Sequence, residues 1–150
     1  LVKARAYGGS GDDAAASALL ALRTALSTLL RLFAPFLPFV TEEVWSWWQP
    51  ASIHRAPWPD SASLRAAAGD TDPLVRDVAA AVLTAIRKAK SDAKVGMRAD
   101  VAKACVYAPG PQLEALWLAA DDITAAGKVA ALDTEVAPAF RVAVTLAPPT

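Results

Sequence analysis

Ala15, Ala18, Leu19, Leu22, Leu26, Leu29, Leu30 and Phe33 recur at steps of three and four residues, the period that lays apolar side chains along one face of an α-helix. Ser10-Gly11-Asp12-Asp13 has the Ser-x-x-acid form of a helix start. Pro35 and Pro38 end that helix, because proline lacks the amide donor and turns its predecessor out of helical geometry. Upstream, Leu1 to Tyr7 reads as a helical stub running into Gly8-Gly9. Downstream, Thr41 with Glu42 and Glu43 predicts a cap and first-turn acids for a short helix carrying Val44, Trp45, Trp47 and Trp48, closed by Pro50. Ser52 to Pro59 reads as an extended segment pinned by prolines, and 61–70, small and alanine-rich, as surface linker.

Asp72-Pro73 is a strong helix start, an N-cap acid with proline at the first helical position. Val75, Val78, Val82, Ile86, Ala89 and Ala93 then form an apolar stripe to about Val95, with Gly96 as the stop. Beyond Gly96 the period shortens. Val101, Cys105, Val106 and Tyr107 predict a strand, Pro111 to Ala120 a short helix, Val129 to Leu132 a second strand, and the alternation of Phe140, Val142, Val144 and Leu146 a third. The expected class is α+β: a mainly helical part over 1–60, a linker over 61–71, and a long basic helix with a small mixed strand-and-helix subdomain over 72–150.

Composition narrows the function more than the fold. The 150 residues carry 15 Lys+Arg against 15 Asp+Glu, so no global field favours a nucleic-acid or membrane partner. A hydrophobic fraction of 55% raises a membrane question, but about a quarter of the residues are alanine. Uncharged runs such as Leu32–Thr41 and Val44–Ile53 reach about ten residues, half of the roughly 20 that span a bilayer. A soluble, cytoplasmic protein is expected, with no membrane partner. The lone Cys105 is expected to be a buried small hydrophobe, and His54 has no acid or nucleophile beside it. Neither a metal-ligand spacing nor a phosphate-cradling glycine loop is present, so no catalytic, metal or cofactor residue is assigned.

Charge is distributed unevenly. Arg87, Lys88, Lys90, Lys94 and Arg98 stand against Asp92 alone, whereas 114–135 carries five acids against Lys128. On a helix continuing that far, Arg76, Thr84, Arg87, Ser91, Lys94 and Arg98 keep to one face; Arg23 and Arg31 lie two turns, about 12 Å, apart on the first long helix. Such stripes are either a solvated helix face or a surface that tracks phosphates. Four of the five tryptophans fall between Trp45 and Trp58, with Phe33, Phe36 and Phe39 nearby. Packing against a core or interface is the commoner use of such a cluster, base stacking the rarer one.

The string LLRLFAPFLPFVTEEVW (29–45), followed by SIHRAPWP (52–59), resembles a stretch of class I aminoacyl-tRNA synthetases of the valine, isoleucine and leucine group. RKAKSDAKVGMR (87–98) resembles the R-x-x-K-x-x-x-x-h-x-x-R helix of the bacterial valyl-tRNA synthetases, h being apolar. The likeness implies a helical anticodon-binding domain, truncated before Leu1 by a pair of helices, with a small mixed subdomain behind it. It implies tRNA, valine-specific, and the rest of the synthetase chain as partners, with ATP and Mg2+ used by the parent enzyme. HIGH and KMSKS signatures are absent, since the only histidine precedes Arg55 and 94–98 is KVGMR, so this chain is expected to be inactive alone and to hold no cofactor. Arg23, Arg31, Arg87, Lys94 and Arg98 are the candidate tRNA contacts. Isoleucyl and leucyl enzymes, and a protein-interaction module without RNA binding, are the alternatives.

Overall fold

The computed structural model describes residues 2–148; Leu1, where the helical stub is expected to begin, lies outside them. Residues 13–71 form one compact unit, and residues 2–12 with 72–148 form another. The described residues hold seven α-helices and one three-stranded sheet, an α+β architecture.

In the first unit, α2 (Asp12–Phe33) is the helix that the apolar period predicts. Its burial is not what the stripe predicts: only Ala18 and Leu30 are buried, while Leu19, Leu22, Leu26, Leu29 and Phe33 are exposed. By length and composition alone α2 could cross a membrane, although its uncharged runs are shorter than a bilayer span. Arg23 interrupts it at mid-length. The next helix, α3 (Pro38–Ser46), starts earlier than Thr41 suggests. Pro38 occupies its first turn, where a missing amide costs nothing, and Thr41 is a buried interior residue whose hydroxyl donates to the Leu37 carbonyl at 2.8 Å. Glu42 serves the following segment instead, accepting from Ile53 N at 2.8 Å and Ser52 Oγ at 3.0 Å. That segment closes into a 3₁₀ turn, Ile53–Arg55, rather than staying extended. Leu30, Ala34, Trp45 and Ile53 make the small core.

The expected linker contains a helix, α4 (Ser61–Ala68). Asp60 caps it by accepting from Ala62 N and Ser63 N, and alanine's helix propensity then outweighs the polar composition. The Ser63 hydroxyl, donating to Asp60 Oδ2 at 2.6 Å, and then the two capping amides hold the Asp60 carboxyl below the usual carboxylate range.

The second unit is built on α5 (Pro73–Asp92), capped by Asp72 Oδ1 on Leu74 N at 2.8 Å. Its buried face is Val78, Ala79, Val82, Leu83, Ile86 and Lys90. β1 (Val101–Ala108) is central, parallel to β2 (Val129–Val136) and antiparallel to β3 (Arg141–Leu146). The parallel pair requires a crossover, supplied by α6 (Gly110–Trp117) and α7 (Ala120–Gly127). Against β3, the step from Val101 to Lys103 meets the single step from Leu146 to Thr145, a bulge that lets Val101 and Ala104 both face the core. Val101, Val106, Leu113, Leu116 and Ile123 close that core over α5. Gly127 packs tightly there: a β-carbon would lie 3.0 Å from both Ile86 Cδ1 and Val129 Cγ2, so those side chains would have to shift to admit one.

The other sheet face is polar. Lys103 pairs with Asp133 at 2.6 Å, and the Arg141 guanidinium lies 3.9 Å from the Tyr107 ring centroid. The Asp133 carboxylate raises the Lys103 amine above its usual range. Cys105 sits half-buried on this face, not in the core as expected, because even spacing from Lys103 and Tyr107 places it on their side of the pleat.

The short helix α1 (Lys3–Ala6) joins this unit through one fork: Arg5 Nε donates to Asp122 Oδ1 at 2.9 Å and Arg5 Nη2 to Oδ2 at 2.8 Å. Asp122 is buried in the first turn of α7. An arginine fork matches a carboxylate in a way a lysine cannot. Arg5→Lys is therefore expected to free α1, accelerating hydrogen exchange at Ala6 N and Tyr7 N, which close α1 onto Val2 O and Lys3 O. Unchanged protection would show that α1 is held by other contacts.

Candidate functional site

The candidate residues fall into two groups, one in each unit, and each group stands by itself. Arg23 is exposed on the middle of α2. Arg31, in the last turn, is half-buried, with Nε donating to Ser27 O at 3.1 Å and Nη1 to Pro57 O at 3.3 Å. It ties the Pro-rich segment to α2, and its Nη2 makes no hydrogen bond to protein among the described residues. The tryptophans divide by helical position. Trp45 is buried, its Nε1 donating to Ala51 O at 2.9 Å, and Trp48 packs edge-on with ring centroids 6.3 Å apart. Trp47 and Trp58, with Phe36 and Phe39, are exposed, so core packing accounts for only half of the cluster.

In the second unit Arg87 is exposed on α5. Lys94 and Arg98 are not on the helical stripe expected of them, because α5 ends at Asp92. Lys94 adopts a left-handed conformation (φ 55°), its amide bonding to Ser91 O at 2.9 Å and that of Val95 to Lys90 O at 3.0 Å. These two bonds form a Schellman stop, with lysine in the position glycine usually takes. The chain therefore turns away before Gly96, and Arg98 is carried into the loop leading to β1. Arg23, Arg87, Lys94 and Arg98 form no ion pair among the described residues.

Arg98 meets residues that spacing could not connect to it. A cleft of about 500 Å³ is bounded by Lys3, Tyr7, Met97, Arg98 and Lys128, with small side chains of α1 and α7 between them. Lys128, also left-handed, holds Asp100 at 3.2 Å in an exposed pair. Lys3 Nζ stands 6.0 Å from the centroid of the Tyr7 ring. Nothing in the sequence links Lys3 or Tyr7 to Arg98 across more than ninety positions.

Lys90 lies beneath. Only 2% exposed, it donates from Nζ to Gly127 O at 2.8 Å and Met97 O at 3.2 Å. Burial pushes its amine below the ordinary lysine value, the Lys128 charge adds to that, and Asp100 opposes it. A signal for this existed: Lys90 continues the Val82–Ile86 step of four, so it belongs to the buried stripe and not to the basic face.

A model of the "Anticodon-binding domain of tRNA ligase" matches residues 1–106, and the chain belongs to that family. Among its relatives are enzymes named valine–tRNA ligase. That of Thermobifida fusca (strain YX) is 53% identical over 150 residues, covering 99% of this chain and 17% of its own. That of Salinispora arenicola (strain CNS-205) is 48% identical over 149 residues, 89% of this chain and 17% of its own. The relative from Bifidobacterium longum (strain NCC 2705) is 38% identical over 138 residues, 86% of this chain and 15% of its own. The chain thus spans about one sixth of the length of these relatives.

Proposed function

We propose that this chain is the tRNA-docking part of a valine–tRNA ligase, holding the anticodon arm of a valine-accepting tRNA while the rest of the enzyme, soluble and cytoplasmic, performs ATP- and Mg2+-dependent aminoacylation. The observation that carries the reading is the family match over 1–106, which contains the exposed cations Arg23, Arg87, Lys94 and Arg98. Cations without acidic partners among the described residues are available to phosphates, and each phosphate neutralised releases counterions. The relatives' names favour valine over isoleucine or leucine. On this reading Arg31 contributes through its remaining nitrogen.

The test is the salt dependence of tRNA binding by the full-length ligase that carries this segment. Replacing Arg23, Arg87, Lys94 and Arg98 with alanine is expected to flatten the slope of log K against log salt by about 3, at roughly 0.7 per single-strand phosphate contact. A slope and affinity equal to wild type would overturn the reading and favour a protein-binding role for the exposed Trp47, Phe39 and Trp58.

A further inference from the structure

We propose that the cleft bounded by Lys3, Tyr7, Met97, Arg98 and Lys128 takes one unpaired nucleotide of RNA, its base against the Tyr7 ring and its phosphates on Arg98 and Lys128. The proposal rests on the tRNA-docking reading and adds to it a place and a mode of contact. Tyr7 is 83% exposed and Met97 54%, so two apolar side chains of the lining face water. Aromatic faces in a basic groove are how proteins hold unstacked bases, because every base has a π-face to offer. At about 500 Å³ the cleft falls within the roughly 300–1,000 Å³ range of sites that hold small ligands.

Its charge suits the backbone of the same ligand. Three cations line it, and the neighbouring acid, Asp100, is paired with Lys128 through an exposed contact that phosphate can compete with. The supports are tied down by hydrogen bonds. Lys90 pins the carbonyls of Met97 and Gly127, each one residue before a cleft cation, Arg98 and Lys128. Ala99 N closes a turn onto Gly96 O at 2.9 Å, and the Arg5–Asp122 fork docks the helix that carries Lys3 and leads to Tyr7. Groups already held in place lose less freedom on binding. The stacking partner must be unpaired, so a loop or an end of the RNA is indicated and a duplex stem is not.

The experiment measures filter binding of a valine tRNA transcript, and of a stem-only RNA cut from it, to the full-length ligase carrying this segment. Tyr7→Ala is expected to bind the transcript about 5- to 150-fold more weakly, and Tyr7→Phe within about twofold of wild type. Arg98→Ala and Lys128→Ala should each flatten the salt slope by about 0.7. Unchanged hydrogen exchange along β1 identifies variants that remain folded. If wild type binds the transcript and Tyr7→Ala binds it equally well, or loses stem binding to the same degree, the cleft assignment is overturned and the docking reading stands. Failure of wild type to bind the transcript removes both.

Discussion

Replacing Lys90 with alanine is expected to destabilise the unit built on α5 by roughly 3–5 kcal/mol. Two losses combine. The four-carbon stem of a fully buried side chain leaves a cavity beside Ile86 and Gly127, and the carbonyls of Gly127 and Met97 lose their donor. Lys90→Met separates the two, since it keeps most of the volume and removes only the donor; a loss of about 1–3 kcal/mol is expected. Protection of the β1 amides, Val101–Ala108, against hydrogen exchange measures both. Wild-type protection in Lys90→Ala would mean that the side chain is dispensable to the fold.

The same residue makes stability depend on pH in a defined direction. Burial lowers the folded-state pKa of its amine below the unfolded value of about 10.4. Between the two values the unfolded chain binds more protons, so stability rises with pH across that window. Below the folded value the cost of burying the charge is fully present; above about 10.4 it is gone. The stability of wild type relative to Lys90→Met should therefore grow as pH approaches 10, the other lysines and tyrosines cancelling in the difference. A constant difference would show that the amine titrates as it does in the unfolded chain.

Trp45→Ala is the second large effect, roughly 3–5 kcal/mol within residues 13–71. The core there is small: Leu30, Ala34, Trp45 and Ile53 carry it, with Trp48 and Val44 packed alongside. Removing the indole takes away the central volume, the edge-on contact with Trp48 and the donor to Ala51 O together. Trp45→Phe should keep most of the packing and lose about 1 kcal/mol, the net value of one hydrogen bond. Exchange at Ile53 N, bonded to Glu42, and at Gln49 N, bonded to Trp45 O, is the measurement. Equal protection in both variants would place the stability of this unit elsewhere.

Local rules were legible where one residue type has one physical use. Asp72-Pro73 marks the start of α5 because a capping carboxylate and a pre-set φ need no tertiary partner. The alternation from Phe140 to Leu146 marks β3 because a half-buried strand must repeat every two residues. Helix ends were harder. α5 stops at a left-handed lysine, and the pair of backbone bonds that permits this leaves no composition signal. Thr41 looked like a cap because its side chain can bond either a following amide or a preceding carbonyl, and packing selected the second.

The sequence by itself determined the α+β class, the order of most elements and the family, since these follow from period, punctuation and motif strings that lie close together along the chain. Tertiary structure alone decided what the basic residues do. Lys90 and Lys94 are four positions apart with the same charge, yet one is buried against the Met97 and Gly127 carbonyls and the other faces water, because α5 ends between them. Only folding brings Lys3, Tyr7 and Lys128 to Arg98, for a cleft is a matter of which surfaces meet in space.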